Sequence, residues 1–202
     1  RTILKKLRPE HQIFVCEMGA YKKGEIKKSG QIVRPQTAVI TGLCQQHLAL
    51  FGSLENIIVA KSEILSYLPK DGVVFLNYDS ELVHQFKVPS DCQKIAYGIA
   101  NRDADVRAKL VNDQWFLSLN KDIKILRYWD IERLNDWKLE IGSLLGKHNV
   151  LNLLPAIAIA WRLGMSKAEI DQAIKKIKSP VGTMQAIKKD NLILIDDTYN
   201  AN

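Results

Sequence analysis

A chain of 202 residues that is 47% hydrophobic and 25% charged has the make-up of an ordinary folded protein with a substantial core, which excludes disordered and fibrous classes. Its net charge of +7 favours anionic partners, but the lysines fall in scattered pairs (22 and 23, 27 and 28, 175 and 176, 188 and 189) rather than one aromatic-interleaved stripe. A nucleotide or phosphorylated substrate therefore fits as well as a nucleic acid, and three cysteines without paired spacing (Cys16, Cys44, Cys92) argue against both a disulfide framework and a zinc site.

Gln12 to Met18 (QIFVCEM) and Thr37 to Thr41 (TAVIT) are short apolar runs bounded by polar residues, and both read as buried parallel strands. Glu17 sits at the exit of the first, and His47 follows the second by six residues. In open α/β sheets the ligand crevice is built from loops beyond the carboxyl ends of the strands, so both side chains are candidates for one site, against the plainer readings of a solvated glutamate and a structural histidine.

Ser53 is the expected N-cap of a helix with Glu55 in its first turn. From Leu54 the apolar positions Ile57, Ile58, Ile64, Leu65 and Leu68 recur at helical spacing, and Lys61 falls on that stripe. An inward ammonium must snorkel out, lose its proton or be converted. A neutral lysine captures carbon dioxide as a carbamate, a carboxylate on a long arm and so a magnesium ligand; the alternative is a snorkelling lysine at the helix edge.

Pro69 to Gly72 ends the helix, and Val73 to Asn77 (VVFLN) reads as a further strand leading to polar Asn77 and Asp79. From Lys94 to about Trp129 short β-like runs (94–99, 106–111, 115–119, 123–128) suggest an antiparallel appendage, with Asn112-Asp113 as a hairpin turn and Trp115 and Trp129 as packing residues. Gly146-Lys147-His148-Asn149 opens an apolar helix ending at Gly164, in which Pro155 predicts a kink or a delayed start and Asn149 is a candidate N-cap. Ser166 and Glu169 form a capping box for a helix to about Lys178. Ser179-Pro180-Val181-Gly182 reads as a linker, followed by paired strands at 183–188 and 192–195. The longest apolar-rich run, Val150 to Trp161, is broken by Asn152 and Pro155 and is too short to span a bilayer, and nothing at Arg1 resembles a signal peptide, so a cytoplasmic protein is expected.

The order and spacing of these motifs resemble the Mur ligase family, ATP-dependent amide-bond ligases of peptidoglycan precursor synthesis. The likeness rests on Glu-Met-Gly-Ala at 17–20, Gly-Glu-Ile at 24–26, Val-Ile-Thr at 39–41, His47-Leu48, Phe-Gly-Ser-Leu-Glu-Asn-Ile at 51–57, Ala-Lys-Ser-Glu-Ile at 60–64, Gly-Lys-His-Asn at 146–149 with Asn152, and Asp-Asp-Thr-Tyr-Asn-Ala-Asn at 196–202. It runs most strongly to the members that add D-alanyl-D-alanine to a UDP-N-acetylmuramoyl-tripeptide. The resemblance implies an α/β fold: a mostly parallel P-loop-type sheet flanked by helices, a small antiparallel β appendage and the first hairpin of a second α/β domain. The expected domains are 1–178, a central ATPase domain, and 179–202, the beginning of a C-terminal domain.

The resemblance also implies ATP and Mg2+ as cofactors, no nucleic-acid or membrane partner, and a monomer. Glu17, His47 and Lys61 match the carboxylate, histidine and carbamylated lysine that organise magnesium beside the ATP phosphates. Asn152 matches an asparagine that hydrogen-bonds adenine, with His148 and Asn149 beside it, and Asp197 matches an aspartate that approaches the ribose. Three departures stand out: no Gly-rich phosphate loop precedes Glu17, the family's Pro-Gly-Arg appears as Val181-Gly182-Thr183, and the asparagine after Val-Ile-Thr is Gly42. The expectation is a fragment of a longer ligase, inactive alone. A folate-polyglutamate or cyanophycin-type ligase and a degenerate, non-catalytic binding module are the alternatives.

Overall fold

The computed structural model of the protein describes residues 6–43, 51–120, 136–141, 146–190 and 192–199. His47, Cys44, Trp129 and the run at 123–128 lie outside these residues. Helix α1 (Glu25–Val33) leads to strand β1 (Thr37–Ile40), and helix α2 (Leu54–Ser62) runs on into a 3-10 turn, Glu63–Tyr67, before β2 (Val73–Asn77). Strands β3 (Gln93–Gly98), β4 (Val106–Val111), β5 (Gln114–Leu119) and β6 (Trp137–Leu139) follow, then α3 (Lys147–Arg162), α4 (Lys167–Lys176), β7 (Gln185–Lys189) and β8 (Leu192–Asp196).

The first six strands form one sheet in the order β1-β2-β3-β4-β5-β6, parallel through β4 and antiparallel beyond it. Every residue of β2 is buried, which explains its unbroken apolar run. Val73 and Phe75 face a core shared with Leu154, Ile157 and Ile170 of α3 and α4, whereas Val74 and Leu76 face one shared with Ile26, Ile57 and Ala60 of α1 and α2. Helices thus cover both faces.

Two expectations about strands need correction. The run at 94–99 is no appendage: β3 pairs in parallel along the whole of β2, from Val73 opposite Gln93 to Asn77 opposite Tyr97, and lies in the interior of the sheet. The antiparallel part begins only where β4 turns back into β5 through Asn112 (φ 47°) and Asp113 (φ 58°), two left-handed residues that match the twist of a tight hairpin. Residues 12–18 do not form a strand. Phe14, Cys16 and Met18 are half-buried and Ile13, Val15 and Glu17 exposed, so the alternation of a strand is present, but among the described residues no backbone hydrogen bond joins the segment to β1.

Pro155 does not delay α3, which begins at Lys147 and carries the proline buried within it. The helix closes as expected at Gly164 (φ 92°): Met165 N–H donates to Ala160 O and Gly164 N–H to Trp161 O, the paired bonds of a Schellman ending. Ser166 and Glu169 form the anticipated capping box on α4. On β6, Trp137 donates its indole N–H to Asp171 at 2.8 Å, with the Lys167 ammonium 4.6 Å from the ring centroid and Trp161 edge-on at 6.0 Å, so α4 is fastened to the end of the sheet. Among the described residues strands β7 and β8 pair only with each other, and Leu192, Ile193, Leu194 and Ile195 are all exposed. Among the described residues no helix is long and apolar enough to cross a membrane.

Candidate functional site

The carboxyl ends of β1, β2 and β3 are laced together by short polar side chains. Asn77, buried at 5% exposure, donates from Nδ2 to Thr41 O at 2.6 Å and accepts the Asp79 N–H at Oδ1. Ser80 Oγ accepts the Leu43 N–H, which holds the chain beyond Gly42 against the end of β2. The Asp79 carboxylate takes the N–H groups of Ile99, Ala100 and Asn101 at 2.8 to 3.0 Å. Gly98 permits that approach, since a Cβ there would stand 2.7 Å from Asp79 Oδ1. Tyr97 spans from β3 to donate its hydroxyl to Ile40 O at 3.2 Å, and burial pushes its phenol above the ordinary range. The strand ends therefore form a fixed rim rather than free loops.

Lys61 is carried by α2. Ser53 caps the helix through the Asn56 N–H, and Asn56 in turn donates to Phe51 O at 2.6 Å, fixing its start. The buried stripe is Ile57, Ala60, Ile64 and Leu65, with Lys61 half-buried on its shoulder, and the helix tightens into a 3-10 turn after Ser62. A half-buried ammonium keeps part of its hydration, so the burial penalty argued from the sequence is relieved here. Lys61 opens into a cavity of about 530 Å³ lined also by Gln12 to Cys16, Met18 and Thr37 to Gly42. Lys61 thus lines the same cavity as β1 and the segment that carries Glu17.

Glu17 itself is exposed and is not part of the lining, although its neighbours Cys16 and Met18 are. His47 lies outside the described residues, so of the three residues assigned to magnesium two can be placed. Among the described residues no group of three or more His, Cys, Asp and Glu is arranged to hold a metal ion.

The four nucleotide candidates divide between two places. His148, Asn149 and Asn152 occupy the first turns of α3, where 148 and 152 are four apart and 149 and 152 three apart, so they share a helix face. His148 and Asn152 are exposed and Asn149 half-buried. The N-cap is Gly146 (φ 90°), not Asn149. A Cβ on Gly146 would meet the His148 ring at 2.6 Å, so the glycine makes room for the imidazole over the helix start. Asp197 closes the β7–β8 hairpin by accepting the Met184 N–H at 3.1 Å.

Residues 1–160 match the family model of the Mur ligase middle domain. The chain belongs to the Mur ligase family. This Mur ligase chain is 30% identical over 206 residues to the UDP-N-acetylmuramoyl-tripeptide–D-alanyl-D-alanine ligase of Escherichia coli, covering 98% of this chain and 42% of that protein. The enzyme of the same name from Bacillus subtilis is 31% identical over 195 residues, covering 96% of this chain and 39% of its own. The crystal structure of MurF from Acinetobacter baumannii shares the fold with a TM-score of 0.79 at 29% identity, over 100% of this chain and 42% of that one. The fold is also that of the Thermotoga maritima MurF ligase in complex with ADP, at a TM-score of 0.71 and 21% identity over 92% of this chain and 40% of the other. The chain spans about two fifths of the length of these relatives.

Several structural residues of this Mur ligase site were not assigned roles from the sequence. Asn77 and Asp79 were visible only as a polar end to a strand, and the partner of each comes from a different strand end, Thr41 O accepting from Asn77 and Ile99 N–H donating to Asp79, which no local pattern encodes. Gly146 was legible as a helix opening but not as the seat of His148, because that needs a close approach rather than a spacing.

Proposed function

We propose that this chain is part of an ATP-dependent ligase that joins D-alanyl-D-alanine to a UDP-N-acetylmuramoyl-tripeptide in the cytoplasm. The observation that carries this reading is similarity along 98% of the chain to an enzyme of that name, with the lysine of Ala60-Lys61-Ser62-Glu63-Ile64 opening into the cavity beside the end of β1. In this reading residues 1–178 form the central domain, 179–202 open the next one, and the whole protein is monomeric.

Such a ligase activates the substrate carboxylate as an acyl phosphate, which the incoming amine attacks through a tetrahedral intermediate before phosphate leaves. Magnesium, when bound, offsets negative charge in both steps. Glu17 would supply the oxygen that magnesium prefers, and Lys61 would supply one only as its carbamate, since an ammonium is no ligand. His47 completes the proposed set. The α2 helix brings Lys61 to the cavity, the Asn77 and Ser80 bonds fix the chain beyond β1, and the shared face of His148, Asn149 and Asn152 offers an amide and an imidazole to an adenine. Asp197 would approach the ribose from the hairpin.

The test is the protein in its full length, assayed with tripeptide substrate, ATP, magnesium and either D-alanyl-D-alanine or glutamate as acceptor. Amide formation with the dipeptide supports the proposal, and preferential use of glutamate favours a folate-polyglutamate or cyanophycin-type ligase. The 202-residue chain alone is expected to form no amide. A non-catalytic reading is favoured by Thr183, which stands where relatives of the resemblance carry arginine and only turns back to donate to Pro180 O at 2.8 Å. Loss of magnesium-dependent ATP binding in the full-length protein would select it.

A further inference from the structure

Helix α1 begins without a cap of its own. Its N-cap is Gly24 (φ 88°), which has no side chain to accept the N–H groups left over at a helix start. Those donors are met from elsewhere. Glu63 Oε1 accepts the Gly24 N–H at 2.6 Å and Oε2 accepts the Lys27 N–H at 2.8 Å, across 39 and 36 positions of sequence. Gly24 and Lys27 are the N-cap and N3 positions, the two donors that a local capping box satisfies. On α4 the same work is divided between Ser166 and Glu169 of the helix itself, whereas on α1 a single distant carboxylate does both parts.

The location of Glu63 gives this cap its meaning. It lies two residues after Lys61, where α2 passes into the 3-10 turn, and only Tyr21 to Gly24 separate the Glu17-Met-Gly-Ala loop from α1. The loop is pinned between these points: Ala20 is buried in the core shared with Ile57 and Ala60, and Glu25 accepts the Tyr21 and Lys22 N–H groups, turning the chain into α1. A second contact keeps the elements together, since a Cβ on Gly30 would fall 2.5 Å from Tyr67 Cδ2 and the bare glycine lets α1 rest against the 3-10 turn.

We infer that Glu63 is a positioning residue whose carboxylate fastens the start of α1, and with it the Glu17 loop, to the helix carrying Lys61. The catalytic consequence rests on the proposed function, in which Glu17 and Lys61 serve one magnesium site. Both oxygens of the Glu63 carboxylate are taken up by the start of α1, so it acts through the separation of the segments it joins.

The test compares Glu63→Ala and Glu63→Gln with the parent sequence. In the 202-residue chain, amide hydrogen exchange at Gly24 and Lys27 is expected to quicken about tenfold or more in Glu63→Ala, in keeping with loss of hydrogen bonds to a charged acceptor, and less in Glu63→Gln, which keeps one acceptor oxygen. Exchange at Tyr21 and Lys22 is expected to quicken as well, because loosening travels toward Glu17. In the full-length protein Glu63→Ala is expected to lower kcat about tenfold or more with little change in KM for the dipeptide, to raise the magnesium concentration needed for half-maximal rate, and to be partly rescued by Glu63→Gln. Unchanged exchange, or exchange quickened only at Gly24 and Lys27, overturns the inference, as does a lowered melting temperature with unchanged kcat and magnesium requirement. If the full-length parent makes no amide, the proposed function falls, and exchange at Tyr21 and Lys22 still decides the positioning role.

Discussion

Val73 to Asn77 and Gln12 to Met18 are apolar runs of similar kind with opposite fates. The first is hydrogen-bonded on both edges, to β1 and β3, and buried on both faces. The second keeps the alternation of a strand but has no backbone partner among the described residues, and Val15 within it is 87% exposed. Apolar character makes a segment ready to be a strand; pairing and two covered faces make it one.

Truncation should expose that contrast most strongly. Phe75→Ala on β2 is expected to cost about 3–5 kcal/mol by opening a cavity at a fully buried site, while Val15→Ala is expected to stay within about 0.5 kcal/mol; denaturant titration of both variants checks it. Equal costs would mean that residues 12–18 belong to the core as much as β2 does. A smaller effect is expected at the end of β2, where Asn77 ties it to the end of β1. Asn77→Ala leaves Thr41 O and the Asp79 N–H without their partner and is expected to cost about 1–3 kcal/mol, together with faster amide exchange at Leu43, the residue held beyond the end of β1.

The smallest effect concerns a carboxyl inside the sheet. Burial holds Asp105 above the usual carboxylate range, offset in part by the Ala96 N–H at 2.7 Å and by Lys94. The folded state therefore holds the Asp105 proton more tightly than the unfolded chain does, so this contribution is present below the ordinary aspartate range and is lost as pH rises through the raised value. Asp105→Asn removes that loss, and its melting temperature relative to the parent is expected to rise between about pH 4 and neutral pH. A constant difference across that range would show that Asp105 is solvated much as residues 12–18 are.

What could be read in advance follows the same physical division. Ser53, the Ser166–Glu169 pair, Gly164 and Asn112-Asp113 were legible because their partners lie within a few residues, where side-chain type and spacing dictate the bond. Strand β2 was legible because both its faces are covered. Strand β3 was legible as a strand but not as a central one, since its neighbour is set by the whole sheet order. Strand β6, three residues long, carries too little pattern to be seen. In the site, Lys61 was found by its place on the helical stripe, and it stands half-buried on the shoulder of that stripe. The double acceptor role of Glu63 stayed hidden because its donors lie more than thirty residues away.

Trp137 closes the far end of the same sheet, with its indole bonded to Asp171 and overlaid by Lys167. That placement makes its ultraviolet emission a reporter once Trp115, Trp129 and Trp161 are replaced by phenylalanine: as long as α4 stays seated the ring is shielded from solvent, and release of the helix would shift its fluorescence to the red. The docking of α4 can therefore be followed by light alone, without attaching a dye to the chain.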